Sequence, residues 1–208
     1  MADHSWVHDA LASARLYAIL DLGYVDPAKP LTTACQLLEG GADILQLRAK
    51  NVPLPEVTAL AEKLLPLCES ARVPFVINDH PSIPAHALHL GQDDGDFPDG
   101  KFALHGRSTH SPDQAAQAAA QPDTDYIGFG PLYATPTKPG RPAIGLADIA
   151  QVHQTLPDGF PVFCIGGVNL DTLPEVVAAG ARRVVVVSAL LQSPDIPAYI
   201  SRVKSLLP

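Results

Sequence analysis

A chain of 208 residues, 47% of them hydrophobic and with a mean hydropathy just above zero, can bury one sizeable core, and a single domain over residues 1–208 is the expectation. Its 14 basic residues are outnumbered by 22 acidic ones, for a net charge of −8, and no Lys/Arg cluster stands out. Counterion release has no basic face to act through, which argues against nucleic acid or an anionic membrane as partner, while an anionic small molecule can still be held where a few cations are focused.

Residues 5–15 carry Trp6, Ala10, Leu11 and Ala14 at helical spacing and predict a leading helix over one end of the core. An apolar run at 16–20 reads as strand one, stopped by Asp21-Leu22-Gly23. Residues 31–39 are helical in composition and end at Gly40-Gly41, a helix-stop signal, before strand two at 43–48. A helix over 55–71 and strand three at 74–79 follow, then strand four at 87–91 and strand five at 102–106. The segments between strands three, four and five are too short and too rich in proline and glycine for full helices. The alternation then resumes: helix 112–121, strand 126–130, helix 146–155, strand 161–166, helix 171–179, strand 183–188 and a last helix at 196–207.

Eight short apolar strands alternating with helices in one chain of this size predict an α/β fold, a (β/α)8 TIM barrel with shortened segments after strands three and four. A doubly wound open sheet is the alternative. It is disfavoured because polar residues end nearly every strand and because no G-x-G-x-x-G follows strand one. The N-terminus has acids and histidines in place of a basic run leading into an apolar one, and no apolar stretch approaches a membrane span, so the cytoplasm is the expected setting. Cys35, Cys68 and Cys164 are odd in number, widely spaced and set among apolar residues, which reads as core filler in place of a disulfide framework or zinc motif.

In a barrel of this kind the C-terminal strand ends are active-site addresses. The strand period of two puts Gln46, Arg48 and Lys50 on one face and Leu45 and Leu47 on the other. Two cations facing the mouth need a partner, which is an anionic ligand or a carboxylate on a neighbouring strand. Asn78-Asp79 closes strand three, and Gln92-Asp93-Asp94 closes strand four. Carboxylates beside cations suit Mg2+, which takes one or two carboxylates and completes its octahedron with water and phosphate oxygens; a salt-bridge network uses the same residues. Strand five leads to Ser108-Thr109-His110, strand seven to Gly166-Gly167 and strand eight to Val187-Ser188, and a phosphate site after strands seven and eight recurs in this fold. His110 is as suited to a structural hydrogen bond as to proton transfer, and His80, His86 and His89 are spaced poorly for a shared metal.

The stretch 128–140 combines three glycines and three prolines with Thr135, Thr137 and Lys138, so it can form neither helix nor sheet. Two hydroxyls and an ammonium within four residues suit phosphate oxygens; the alternative is a solvated surface turn.

Taken together, Gln46-Leu47-Arg48-x-Lys50, Ile77-Asn78-Asp79, His89-Leu90-Gly91-Gln92-x-Asp94, Ser108-x-His110, Gly128-x-Gly130-Pro131-x-Tyr133-x-Thr135-x-Thr137-Lys138, Ile165-Gly166-Gly167 and Val187-Ser188-Ala189 resemble the ordered motifs of the thiamine phosphate synthase family. The resemblance runs from about Leu16 to the C-terminus. It implies a (β/α)8 transferase joining 4-amino-2-methyl-5-hydroxymethylpyrimidine pyrophosphate to hydroxyethylthiazole phosphate, its carboxylated form included, to give thiamine phosphate and pyrophosphate. By the same resemblance Gln46, Arg48, Lys50, Asn78, Ser108 and Lys138 would hold the pyrimidine pyrophosphate, with Arg48, Lys138 and Ser108 acting on its departure. Asp79 and Asp94 would hold Mg2+, and Thr135, Thr137, Gly167, Val187 and Ser188 the thiazole phosphate. The implied mechanism is dissociative, with pyrophosphate leaving before the thiazole nitrogen attacks.

The chain departs from that pattern where residues 80–88 and 95–107 are short, on the side that carries both metal residues, and where strand one ends in Leu20-Asp21-Leu22. Two other readings share the barrel: a thiazole tautomerase, which has no pyrophosphate to hold, and a non-catalytic sensor of phosphate ligands.

Overall fold

The computed structural model describes residues 5–134 and 142–208, and over these the apolar runs form eight short parallel strands. They are β1 (Leu16–Asp21), β2 (Ile44–Arg48), β3 (Phe75–Asn78), β4 (Ala87–Leu90), β5 (Leu104–Thr109), β6 (Tyr126–Phe129), β7 (Val162–Cys164) and β8 (Val184–Val186). Each pairs with the next and β8 returns to β1, so the sheet is a closed barrel without edges.

The two-residue period sorts side chains into two cores. Tyr17, Ile19, Ile44, Val76, Ala87, Leu104, Tyr126, Phe163 and Val185 fill the barrel, while Leu16, Leu20, Leu45, Leu47, Phe75, Ile77, Leu88, Ile127 and Val184 face the helices. The leading helix α1 (Ser5–Ser13) closes the lower end: Val7, Leu11 and Ala14 belong to the interior cluster. Arg183 pins it, donating from Nη1 to the carbonyls of Leu11 and Ala14 at 2.9 and 2.7 Å and from Nη2 to Ala12 at 2.9 Å, so a cation satisfies the last carbonyls of the helix.

The outer layer comprises α2 (Pro30–Glu39), α3 (Leu54–Ala71), α4 (Pro112–Ala119), α5 (Ile149–Thr155), α6 (Leu173–Ala178), α7 (Ser188–Leu191) and α8 (Ile196–Leu206). Local chemistry sets their ends. The Ser111 side chain accepts the Gln114 N–H and that of Asp195 the Ala198 N–H, each followed by a proline in the first turn. The seam between β1 and β2 is tied by Asp43, whose carboxylate accepts the N–H groups of Arg15 and Leu16 at 2.9 Å and the Lys204 ammonium of α8 at 2.7 Å.

Among the described residues no helix lies between β3 and β4 or between β4 and β5. That wall is covered by Ile83, Phe97 and Phe102, all buried. Phe97 is the centre of the cover: His105 stacks on it with centroids 4.5 Å apart, and the Arg107 guanidinium lies 4.4 Å from its centroid while bonding the Gly91 carbonyl at 3.1 Å. This arrangement corrects the expected strand at 102–106. β5 starts at Leu104 and runs on through Arg107 to Thr109, because its outward positions are polar and stack on Phe97 where a helix would demand aliphatic ones. Strand eight likewise ends at Val186, not 188, since Ser188 opens the unexpected short α7.

Phe97→Ala removes the ring that this cover is built on and is expected to cost about 3 kcal/mol of stability in urea unfolding. A loss below about 1 kcal/mol would show that the thinned wall is held by something else. Burial pushes the Cys68 and Cys164 thiols up to about 12, so both are expected to resist a thiol reagent at neutral pH in the folded protein and to react once it is unfolded.

Candidate active site

The inward positions near the C-terminal strand ends surround a cavity of about 1010 Å³, its open mouth included. Its floor is aromatic. Tyr17, Tyr126 and Phe163 pack with centroid separations of 5.9, 5.4 and 5.8 Å, and His89 lies 5.7 Å from Tyr126. Gly106 makes room for Tyr126, because a Cβ there would stand 2.1 Å from the tyrosine ring. A chain of hydrogen bonds crosses the floor: the Gln46 amide donates to the Tyr17 hydroxyl at 2.8 Å, which is 3.2 Å from the Tyr126 hydroxyl. Burial raises both phenols well above their usual range, so they act as neutral hydrogen-bonding groups.

Polar groups stand above this floor. Arg48, at the end of β2, pairs with Asp21 at the end of β1, its register partner, and both side chains are buried. Asn78 follows on β3, and His89 Nε2 on β4 meets Ser108 Oγ on β5 at 3.0 Å. The His110 ring bonds the Gly130 carbonyl through Nδ1 while its backbone N–H donates to Gln114 at 2.7 Å. Of the two roles open to His110, the structural hydrogen bond is present.

The far wall is backbone. Gly166 and Gly167 have φ of 101° and 69°, and Cβ atoms there would stand 2.5 Å from Pro131 and 2.6 Å from Tyr133. Val187, Ser188 and Ala189 continue this wall, where α7 begins and its first N–H groups have no partner within the helix. Both stems of the 128–140 stretch are tied here: Leu132 and Tyr133 donate to the carbonyls of Ile165 and Gly166 at 2.8 and 3.1 Å, and Ile144 and Gly145 donate to Pro131 and Leu132 at 2.9 and 3.1 Å. The Tyr133 hydroxyl donates to Glu175, and burial together with that carboxylate pushes the phenol up to about 12. Thr135, Thr137 and Lys138 themselves lie outside the described residues.

Gln46, Arg48, Asn78, Ser108, Gly167, Val187 and Ser188 thus share one cavity. Lys50, Asp79 and Asp94 do not line it; they lie past the ends of β2, β3 and β4, where Asp79 feels the charges of both the others. Burial raises the Asp79 carboxyl first, the nearby Asp94 charge raises it further, and Lys50 opposes both. Among the described residues no cluster of three or more histidine, cysteine or acidic side chains could hold a metal. Two carboxylates that repel each other are nevertheless the set a hydrated Mg2+ relieves, the remaining positions falling to water and substrate oxygens. His86 is buried elsewhere, accepting the Phe75 N–H at 3.0 Å with its ring edge-on to Trp6, so the three histidines form no common site.

Tyr17, Asp21, Tyr126 and Phe163 were not among the expected site residues, and His89 was expected only within a motif. The signal for them was present: the parity that selects Gln46 and Arg48 on β2 selects Tyr17 and Asp21 on β1, His89 on β4 and Tyr126 on β6.

Comparison with known proteins agrees with this geometry. The family model for thiamine monophosphate synthase matches residues 16–190. Thiamine-phosphate synthase of Thermus thermophilus is 44% identical over 165 residues, covering 76% of this chain and 79% of that protein. The Thermobifida fusca protein of the same name is 41% identical over 214 residues, covering 95% and 94%. A solved structure of Pyrococcus furiosus thiamine phosphate pyrophosphorylase superposes with a TM-score of 0.80 at 25% identity, covering 96% of each chain. With a family match over most of its length and synthases at this identity beside it, the chain belongs to the thiamine monophosphate synthase family.

Proposed function

We propose that the barrel mouth binds 4-amino-5-hydroxymethyl-2-methylpyrimidine pyrophosphate and hydroxyethylthiazole phosphate and joins them as thiamine phosphate, releasing pyrophosphate. The chain is an enzyme of the thiamine phosphate synthase kind, a transferase that condenses a pyrimidine with a thiazole. The observation that carries the specific reading is the convergence of Gln46, Arg48, Asn78 and Ser108 over an aromatic floor, opposite a bare-backbone wall at Gly167 and Ser188. A tautomerase, which shares the Ser-x-His motif, has no pyrophosphate for Arg48 and Asn78 to hold, and the relatives compared above are synthases.

In this reading the aminopyrimidine lies on the floor, where Gln46 is fixed by Tyr17 and its amide oxygen can accept the exocyclic amino group. Arg48, Asn78 and Ser108 meet the pyrophosphate. As the methylene carbon–oxygen bond breaks, its electron pair leaves with pyrophosphate, and donors fixed in advance stabilise that charge more in the transition state than in the ground state. The pyrimidine cation is then captured by the lone pair of the thiazole nitrogen, forming the new carbon–nitrogen bond. Phe163, Ile165 and Val185 line the cavity with apolar surface that keeps water from competing for the cation. Gly167, Val187 and Ser188, with Thr135 and Thr137, hold the thiazole phosphate, and Lys50 and Lys138 add charge to the pyrophosphate site. Asp79 and Asp94 would hold Mg2+, which when bound supplies positive charge to the phosphate oxygens.

The cytoplasm belongs to the same reading, supported by three cysteines that are all free and by substrates that are phosphorylated metabolites. Among the described residues no helix is long and apolar enough to cross a membrane.

Incubation of the protein with both substrates and Mg2+ is expected to yield thiamine phosphate by mass and one equivalent of pyrophosphate. Absence of product, with both substrates bound, would leave a binding protein instead. Asp94→Asn is expected to require more Mg2+ for half-maximal rate and to turn over more slowly, because a neutral amide gives the ion less charge; an unchanged Mg2+ titration would remove Asp94 from the metal site. Arg48→Lys is expected to lose about tenfold or more in single-turnover rate with a smaller change in pyrimidine substrate affinity, since an ammonium cannot reproduce the planar fork. A wild-type chemical step in that variant would show that charge alone suffices.

A further inference from the structure

The pairing of Arg48 with Asp21 is unequal in one respect. Both side chains are buried, at 8% and 3% exposure, yet Arg48 lines the cavity and Asp21 does not. The carboxylate stands behind the guanidinium and is held from both sides: Oδ2 accepts from Arg48 Nη1, and Oδ1 accepts the Gly23 N–H at 3.0 Å. The two strands are tied again one residue further on, where the Leu22 N–H donates to the Arg48 carbonyl at 3.0 Å. Asp21 is therefore anchored independently of the arginine, and Arg48 is the member of the pair that an anion in the cavity meets.

We propose that Asp21 is a positioning residue of the transfer reaction, which fixes the Arg48 fork for pyrophosphate departure and, by offsetting part of its charge, sets how readily pyrophosphate leaves. The inference rests on the reading of Arg48 as a pyrophosphate ligand. Two physical consequences follow, and they have opposite signs. Ground-state affinity for a polyanion responds mainly to net charge, so removing the carboxylate strengthens it. Transition-state stabilisation depends on donors held in place before charge develops, so the same change slows the chemical step. A carboxylate that served only to stabilise the fold would move neither quantity in this opposed manner.

The test compares wild type with Asp21→Asn, Asp21→Glu and Arg48→Ala, reading single-turnover rate with both substrates and Mg2+, and binding of inorganic pyrophosphate by calorimetry. Asp21→Asn is expected to lose about tenfold or more in rate while binding pyrophosphate about fivefold or more tighter. Asp21→Glu keeps the charge but displaces the fork by a methylene, so it is expected to lose rate with pyrophosphate affinity near wild type. It also decides the question if the asparagine variant fails to fold, because an unchanged rate in Asp21→Glu would overturn the positioning role. Rate and affinity that fall together in Asp21→Asn, or neither changing, would also overturn it. Arg48→Ala separates the two layers. If that variant binds pyrophosphate as wild type does, the reading of Arg48 itself fails; if it binds weakly while Asp21→Asn shows no tightening, only the inference about Asp21 fails.

Discussion

Closure of eight parallel strands with a side-chain period of two is the constraint on which the rest depends. Each strand is paired in parallel on both sides, which pins its register, and a one-residue slip in any strand would turn its inward set outward. That rigidity is what allows residues from β2, β3, β4 and β5 to meet as Gln46, Arg48, Asn78, His89 and Ser108 in one cavity. It also explains why the floor is aromatic. The interior must be filled, and Tyr17, Tyr126 and Phe163 fill it, the two tyrosines presenting hydroxyls that neutral hydrogen bonds can satisfy.

Electrostatics are arranged in two separate zones. At the cavity wall a buried guanidinium is balanced by a buried carboxylate behind it, an arrangement in which removing either partner strands the other at a cost of several kcal/mol. Past the strand ends, Asp79 and Asp94 are placed so that each raises the energy of the other's charge, relieved in part by Lys50. The first zone is internally balanced; the second carries two carboxylates close together, the feature behind the proposal that they hold Mg2+. A protein of net charge −8 can hold anionic substrates on these terms, because the cations that matter are fixed locally and their field is little affected by the remaining surface.

Much of this was legible in the sequence, for reasons that can be named. Strands β1, β2 and β3 begin in apolar runs, so existence and order were plain, and the polar inward face of β2 followed from parity alone. The choice between an anionic ligand and a neighbouring carboxylate for Arg48 was not decidable there, because pairing with Asp21 depends on the β1–β2 register, which no local pattern encodes. The boundaries of β5 were misread for a different reason: hydrophobicity marks a strand only where a helix covers it, and His105 and Arg107 are covered by Phe97 from a coil. Parity places Tyr17 and Tyr126 on the inward face, but residue type alone does not separate a ring that floors a cavity from one that only fills the barrel.

The most direct test of the account is a crystal structure of the protein with Mg2+, inorganic pyrophosphate and hydroxyethylthiazole phosphate. It is expected to show pyrophosphate against Arg48, Asn78 and Ser108, the cation between that pyrophosphate and the carboxylates of Asp79 and Asp94, and the thiazole phosphate on the backbone at Gly167 and Ser188. Pyrophosphate bound outside the barrel, for instance against Arg107 on the outer face of β5, with the cavity beside Arg48 left to solvent, would contradict it.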